Sequence, residues 1–156
     1  MSYEYYARKA TMNDVSDLAK YSCMLAKQIE QRDLCPISLQ ESYSRIISDE
    51  SLGLIFVCVE RGSSEFAGYC YASKEWSNWR NGIVLWVELF IVEEHRGNGS
   101  ALKPLYERLL SAAQNESDVC AIRGYTHNPE CVSNIDLPVV ERKVFLLEKD
   151  LEKHEQ

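Results

Sequence analysis

The sequence is short of cations, histidine and long apolar runs. Seventeen Lys and Arg stand against twenty-four Asp and Glu, a formal charge of −7. A chain with that balance is poorly made for a nucleic-acid backbone and better suited to a neutral or cationic partner. No window approaches the roughly 18 apolar residues that a membrane span needs, and the start "MSYEYYARK" has no signal-peptide core. These features lead us to expect a cytoplasmic protein with neither membrane nor nucleic acid as partner. Six cysteines occur, at 23, 35, 58, 70, 120 and 131, with no Cys-x-x-Cys pair and only three histidines. Zinc and thioredoxin-type readings lose their spacing, so no metal is expected, and most of the thiols read as small core hydrophobes. Repeats, low-complexity tracts and linkers are absent as well, and the 156 residues read as one domain over 1–156.

What is present is an alternation of strand and helix signals. "YYARKA" (5–10) reads as a first strand. "TMNDVSDLAKYSCMLAKQIEQRD" reads as a helix capped by Thr11 or Asn13, with Val15, Leu18, Ala19, Leu25, Ala26 and Ile29 on one face. "LCPIS" breaks the chain before a second helix over 38–50 capped by Ser38. Residues 52–60 and 66–75 form a hairpin about "RGSSE", and "WSNWRNG" (76–82) reads as loop. "IVLWVELFIV" (83–92) is apolar enough for a central strand buried on both faces. A helix from about Ser100 to Ala113 and a strand over 119–125 follow. The end, "VVERKVFLLEKDLE", carries helical spacing and a β-branched, aromatic centre; the reading taken is a strand over about 142–149.

Between the apolar strand and the next helix lies "EEHRGNGSAL". Glycines at a strand-to-helix junction leave N–H groups free at the positive end of a helix dipole, a cradle for phosphate. A Walker loop would continue Gly-Lys-Ser/Thr, but Gly99 is followed by Ser100 and Ala101. A dinucleotide fingerprint needs a third glycine where Leu102 stands, and a hairpin rather than a βαβ unit comes before it. The pyrophosphate of coenzyme A remains, and a tight turn with no ligand is the alternative.

Arg96-Gly97-Asn98-Gly99-Ser100-Ala101 resembles the Gln/Arg-x-x-Gly-x-Gly/Ala loop of the GNAT superfamily of acyl-CoA-dependent N-acyltransferases. "VELFIVEEHRGNGSALKPLYERLL" is similar to that family's fourth strand, loop and third helix in order, and the resemblance spans about residues 5–128. It implies an α/β fold with a mixed, mostly antiparallel sheet of six or seven strands. Helices would cover both faces, and strands four and five would splay. It implies acetyl-CoA as cosubstrate, its pyrophosphate on Gly97 to Ala101 with Arg96 shaping the loop or meeting phosphate. The pantetheine arm would lie along Leu89, Phe90 and Ile91, and Asn128 would touch the coenzyme.

The implied reaction moves an acetyl group to a primary amine, a small molecule or a protein Lys or N-terminus, by direct attack in a ternary complex. Glu88 is the base candidate, a charge inside an apolar run that is costly unless used or paired; a rim carboxylate or ion pair is the alternative. Amine-acetylating members often show two adjacent acids here, whereas Val87 precedes Glu88. The family's usual acid, a tyrosine seven residues past the asparagine, is replaced by Ile135, and no Gly-Phe follows. Tyr125 stands in as acid, against strand packing as the alternative, and His127 is a weaker substitute. Trp76 and Trp79 read as the acceptor site, suited to a cationic amine through cation–π contact, though Arg80 opposes that. The same pair could cap the hairpin or fill a homodimer contact. The missing tyrosine motivates a second reading, a catalytically weak or inactive coenzyme-binding or interaction module on the same fold.

Overall fold

The register of the longest hairpin organises the molecule. In the computed structural model, which describes residues 4–97, 101–125, 142 and 144–151, strand β3 (Phe66–Ser77) pairs antiparallel with β4 (Gly82–Ile91) from Gly68↔Ile91 to Ser77↔Gly82. Of the stretch 76–82 expected as loop, Trp76, Ser77 and Gly82 belong to the strands and residues 78–81 form the turn. Asn81 adopts φ 52°, the left-handed conformation asparagine tolerates, which tightens the turn to a few residues. Strand β2 (Gly53–Glu60) pairs antiparallel with β3, and β1 (Tyr5–Lys9) with β2. Strand β5 (Val119–Gly124) runs parallel to β4 on its other side. Among the described residues the sheet has five strands, in the order β1-β2-β3-β4-β5.

Strand alternation sends successive side chains to opposite faces, and each face meets its own helices. Leu54, Phe56, Cys58, Cys70 and Leu85 face helix α3 (Leu102–Asn115), which contributes Leu105, Leu109 and Ala113. Ile55, Val57, Val59, Tyr69 and Phe90 face α1 (Val15–Glu30) and α2 (Pro36–Ser48), meeting Leu18, Tyr43 and Ile46. This is the α/β architecture expected, helices on both faces of a mostly antiparallel sheet.

Three boundaries differ from the sequence reading, each for a local reason. A 3-10 turn over Met12–Asp14 precedes α1, and the Asp14 carboxylate accepts the Thr11 N–H at 2.7 Å. Helix α2 begins at Pro36 rather than Ser38, because a first-turn proline needs no N–H partner and its ring presets the helical φ. The strand expected over 142–149 is not formed: among its described residues Val144, Phe145, Leu146 and Leu147 are exposed, with Phe145 97% accessible, and none joins the sheet. Of the cysteines described, Cys58 and Cys70 are core residues, whereas Cys35 and Cys120 are exposed and Cys23 is half-buried. No described helix is long and apolar enough to cross a membrane.

Candidate active site at the parting of two strands

The apolar strand β4 outlasts its neighbour. Pairing with β5 runs from Ile83↔Val119 to Val87↔Gly124, whereas β4 continues to Ile91 against β3 alone. Which main-chain groups this leaves open follows from the ladder. Val92 N–H reaches Ala67 O on the β3 side at 2.8 Å, and Ile83 N–H reaches Asp118 O on the β5 side at 2.7 Å. Directions alternate along a strand, so Leu89 and Ile91 turn N–H and C=O away from β3, to the side on which no described residue of β5 pairs with them. Phe90 turns its polar groups inward to β3, and its ring is buried under α1. Residues 126–141, which would continue past β5 alongside Leu89 and Ile91, lie outside the described residues, and the splay expected between the fourth and fifth strands falls there.

Arg96 closes the end of this open edge. Its Nε donates to Ile91 O at 2.7 Å, and its guanidinium lies 5.4 Å from the Phe90 ring centroid. Gly97 has φ +127°, a conformation L side chains rarely adopt, and a Cβ there would meet nothing within 4 Å. Ala101 is buried under the start of α3. Asn98, Gly99 and Ser100 lie outside the described residues, as do Asn128, His127 and Ile135.

Glu88 belongs to the face covered by α1 and α2. It stands opposite Tyr71 on β3, and Tyr69 Oη donates to its carboxylate at 2.9 Å. That phenol is the last member of a chain of hydroxyls. Ser22 on α1 lies 3.0 Å from Tyr69 Oη and also bonds Tyr43 Oη of α2. The single proton of Tyr69 points at Glu88, so Ser22 must donate to Tyr69 and Tyr43 to Ser22. Every hydrogen in the chain is directed toward the carboxylate. Burial, reinforced by the charge on Glu88, pushes the Tyr43 hydroxyl up to about 12, and Tyr69 rises by the same cause, so both remain donors. The Glu88 carboxyl is itself raised above the ordinary range by the desolvating pocket walls, and the Tyr69 hydrogen bond only partly offsets this. The residue is exposed, and it lines a cleft between α1 and α2 of about 290 Å³.

Tyr125 shares this face. Its ring stacks on Trp86 at 4.9 Å, and the Arg123 guanidinium lies 5.4 Å from the same indole. Trp86 precedes Glu88 by two residues, hence on the same face of β4. Tyr125 is 60% accessible, beside the end of the β4–β5 pairing, so both proposed proton-transfer groups come to one face of the sheet. The Trp86 Nε1 donor is buried and without a partner among the described residues.

Trp76 and Trp79 do not join them. Trp76 pairs with Ile83 at the far end of the hairpin, five residues from Tyr71, or about 17 Å along the strand. Counting alternation from Tyr71 also puts it on the opposite face, and Trp79 lies in the turn beyond, 94% accessible. Sequence reasoning missed Ser22, Tyr43, Tyr69 and Trp86. Of these only Trp86 carried a local signal, its two-residue spacing from Glu88. No cluster of metal-binding side chains occurs among the described residues.

No family model matches the chain, and no curated protein does. Solved structures do. One is a protein from Clostridium difficile 630 described as a possible acetyltransferase: 21% identity, 92% of this chain and 97% of that one covered, TM-score 0.73. Another is a predicted acetyltransferase from Clostridium acetobutylicum with acetyl-CoA: 16% identity, 91% and 95% covered, TM-score 0.69. A third is glucosamine-6-phosphate N-acetyltransferase from Arabidopsis thaliana: 15% identity, 90% and 97% covered, TM-score 0.64. At these identities the likeness is one of fold: the chain has the α/β fold of these proteins described as acetyltransferases, the GNAT-type fold, with two helices on one face of its mostly antiparallel sheet and a third on the other.

Proposed function

We propose that the protein is an N-acyltransferase that moves an acetyl group from acetyl-CoA to a primary amine by direct attack in a ternary complex. The observation that carries this reading is the edge of β4 beyond Val87: Leu89 N–H and C=O and Ile91 N–H face the side on which, among the described residues, no strand pairs with them, directly before the loop into α3. An extended amide-bearing arm can pair with such an edge as a missing strand would. The residues fit coenzyme A further along. Gly97 leaves its surroundings free of side chain, and the first turn of α3 offers N–H groups at the positive end of the helix dipole. Asn98, Gly99, Ser100, Ala101 and Asn128 complete the proposed coenzyme contacts.

Acetyl-CoA brings a thioester already activated toward nitrogen, so the chain must position the amine and manage two protons. Glu88 receives the proton of the attacking amine. Its raised carboxyl brings its basicity closer to neutral pH than an ordinary glutamate, and the Tyr69 hydrogen bond fixes one oxygen. Tyr125, at the end of β5 on the same face of the sheet, supplies a proton to the departing sulfur. One C–N bond forms, one C–S bond breaks, one proton passes from amine to Glu88 and one from Tyr125 to sulfur.

The test is thiol release from acetyl-CoA with a panel of primary amines. Glu88→Gln is expected to lower kcat by about a hundredfold or more, and Tyr125→Phe by less, since water can protonate a thiolate. Saturable binding of acetyl-CoA with no amine-dependent thiol release would favour the second reading, a coenzyme-binding or interaction module.

A further inference from the structure

The apolar face of α1 is only half covered. Val15, Leu18, Ala19 and Ser22 are buried against the sheet, but one turn on Leu25 and Ala26 are half-buried, and Ile29 is 42% accessible. The sequence pattern does not change along this face. What changes is that α2 and the sheet draw away from it, leaving the 290 Å³ cleft whose apolar walls are Leu25, Ile29, Leu39 and Ile46.

The polar groups of the cleft are distributed unequally. At its inner end the hydroxyls of Ser22 and Tyr43 are engaged with each other, so the free acceptor there is the Glu88 carboxylate. Glu30 and Arg32 are the other charged lining groups, of opposite sign. Glu30 follows Ser22 by eight residues on α1, about 12 Å along the axis. Between the two ends the walls are mainly apolar, with Ser42 and Tyr71 adding uncharged hydroxyls.

We infer that this cleft selects a small monoamine: one ammonium group at Glu88, carrying an apolar chain or ring of roughly ten non-hydrogen atoms at the ~30 Å³ each takes in a liquid. The amine's fate rests on the acyltransferase reading; its binding does not. A polyamine would lay its middle ammonium against Leu25 and Ile29, losing hydration without a partner, and carry its far one to a mouth where Arg32 offsets Glu30. A lysine stem, with four methylenes, would leave much of the wall uncovered and bring a peptide backbone to the mouth. An apolar monoamine satisfies the carboxylate at the inner end and covers the walls, each buried methylene adding to affinity.

The experiment uses hexylamine, 2-phenylethylamine, spermidine and Nα-acetyllysine on the full chain. Binding is followed by calorimetry without coenzyme and turnover by thiol release with acetyl-CoA. The two apolar amines should bind saturably to the wild type and fail to bind Glu88→Gln, and their kcat/KM should exceed that of spermidine at least tenfold. Ile29→Glu places a carboxylate on the apolar wall between Glu88 and the mouth, at an already accessible position, so it should fold; it should shrink or invert that ratio. Preference for spermidine or Nα-acetyllysine in the wild type would overturn the inference while leaving acetyl transfer standing. So would acetyl-CoA binding accompanied by no binding of either apolar amine. Apolar amines that bind, depend on Glu88 and release no thiol would uphold the cleft and overturn the transferase reading instead.

Discussion

The Tyr69 hydroxyl of β3 donates a 2.9 Å hydrogen bond to the Glu88 carboxylate of β4, from a position with no solvent exposure of its own. That bond is the one contribution that lowers a carboxyl raised by the desolvating walls of its cleft. As a base, Glu88 works only when ionised, so activity should fall on the acid side at a higher pH than an ordinary glutamate would set. Tyr69→Phe removes the lowering contribution, and the acid limb of the kcat/KM profile should move to still higher pH. A limb that stays in place would mean that Glu88 is not the group titrating.

The same shift has a consequence for stability. A carboxyl whose folded pKa is raised contributes stability below its unfolded pKa and loses it as pH rises through the folded value. Glu88→Gln should therefore be more stable than the wild type at neutral pH, and the difference should close in acid. Thermal melts of both proteins across that range test the sign.

Arg8 and Asp14 provide a contrasting pair. Burial pushes the Asp14 carboxyl up, but the Arg8 guanidinium, bonded to both its oxygens at 2.7 and 2.9 Å, and the Thr11 N–H more than reverse this. The net result is a pKa below the ordinary carboxylate range, so stability from this group is present above the unfolded pKa and is lost as pH falls through the folded one. Asp14→Asn should cost about 1.5–3 kcal/mol at pH 7 in denaturant unfolding and should flatten that part of the acid limb. An unchanged midpoint would remove Asp14 as the start clamp of α1.

Trp79 tests the geometry differently. Its side chain is almost wholly exposed at the hairpin turn, so Trp79→Ser should change stability by no more than about 0.5 kcal/mol. Within one chain it is also far from Glu88, and KM for the amine should be unchanged. A rise in KM would return the tryptophans to the acceptor site, with a second copy of the chain as the route.

Much of this architecture was legible in the residues. The uninterrupted apolar run of β4 marked a central strand, and the glycines after it marked the junction with α3. Glu88 stood out as the charge within that run, yet alternation gives parity, not which face a charge looks toward. The Ser22–Tyr43–Tyr69 chain was invisible because its members are 21 and 47 residues apart, brought together only when α1 and α2 dock on the sheet. Leu25 and Ile29 read as core for the same reason: helical spacing reports an apolar face, and only packing reveals that part of it is left open. Pro36 was read as a break when it opens a helix, since proline at a first turn and proline in a loop look alike in one dimension.

The open edge of β4 as a coenzyme site is the central claim, and calorimetry with acetyl-CoA tests it most directly. The wild type should bind saturably, in the range of about a micromolar. Leu89→Pro removes an N–H that faces the open side, so the β3 ladder keeps its bonds while the arm loses a partner, and affinity should fall about tenfold. Leu89→Ala should bind as the wild type does. No saturable heat from correctly folded wild type, or equal affinity in Leu89→Pro, would contradict the account: the open edge would then not be where coenzyme A is held.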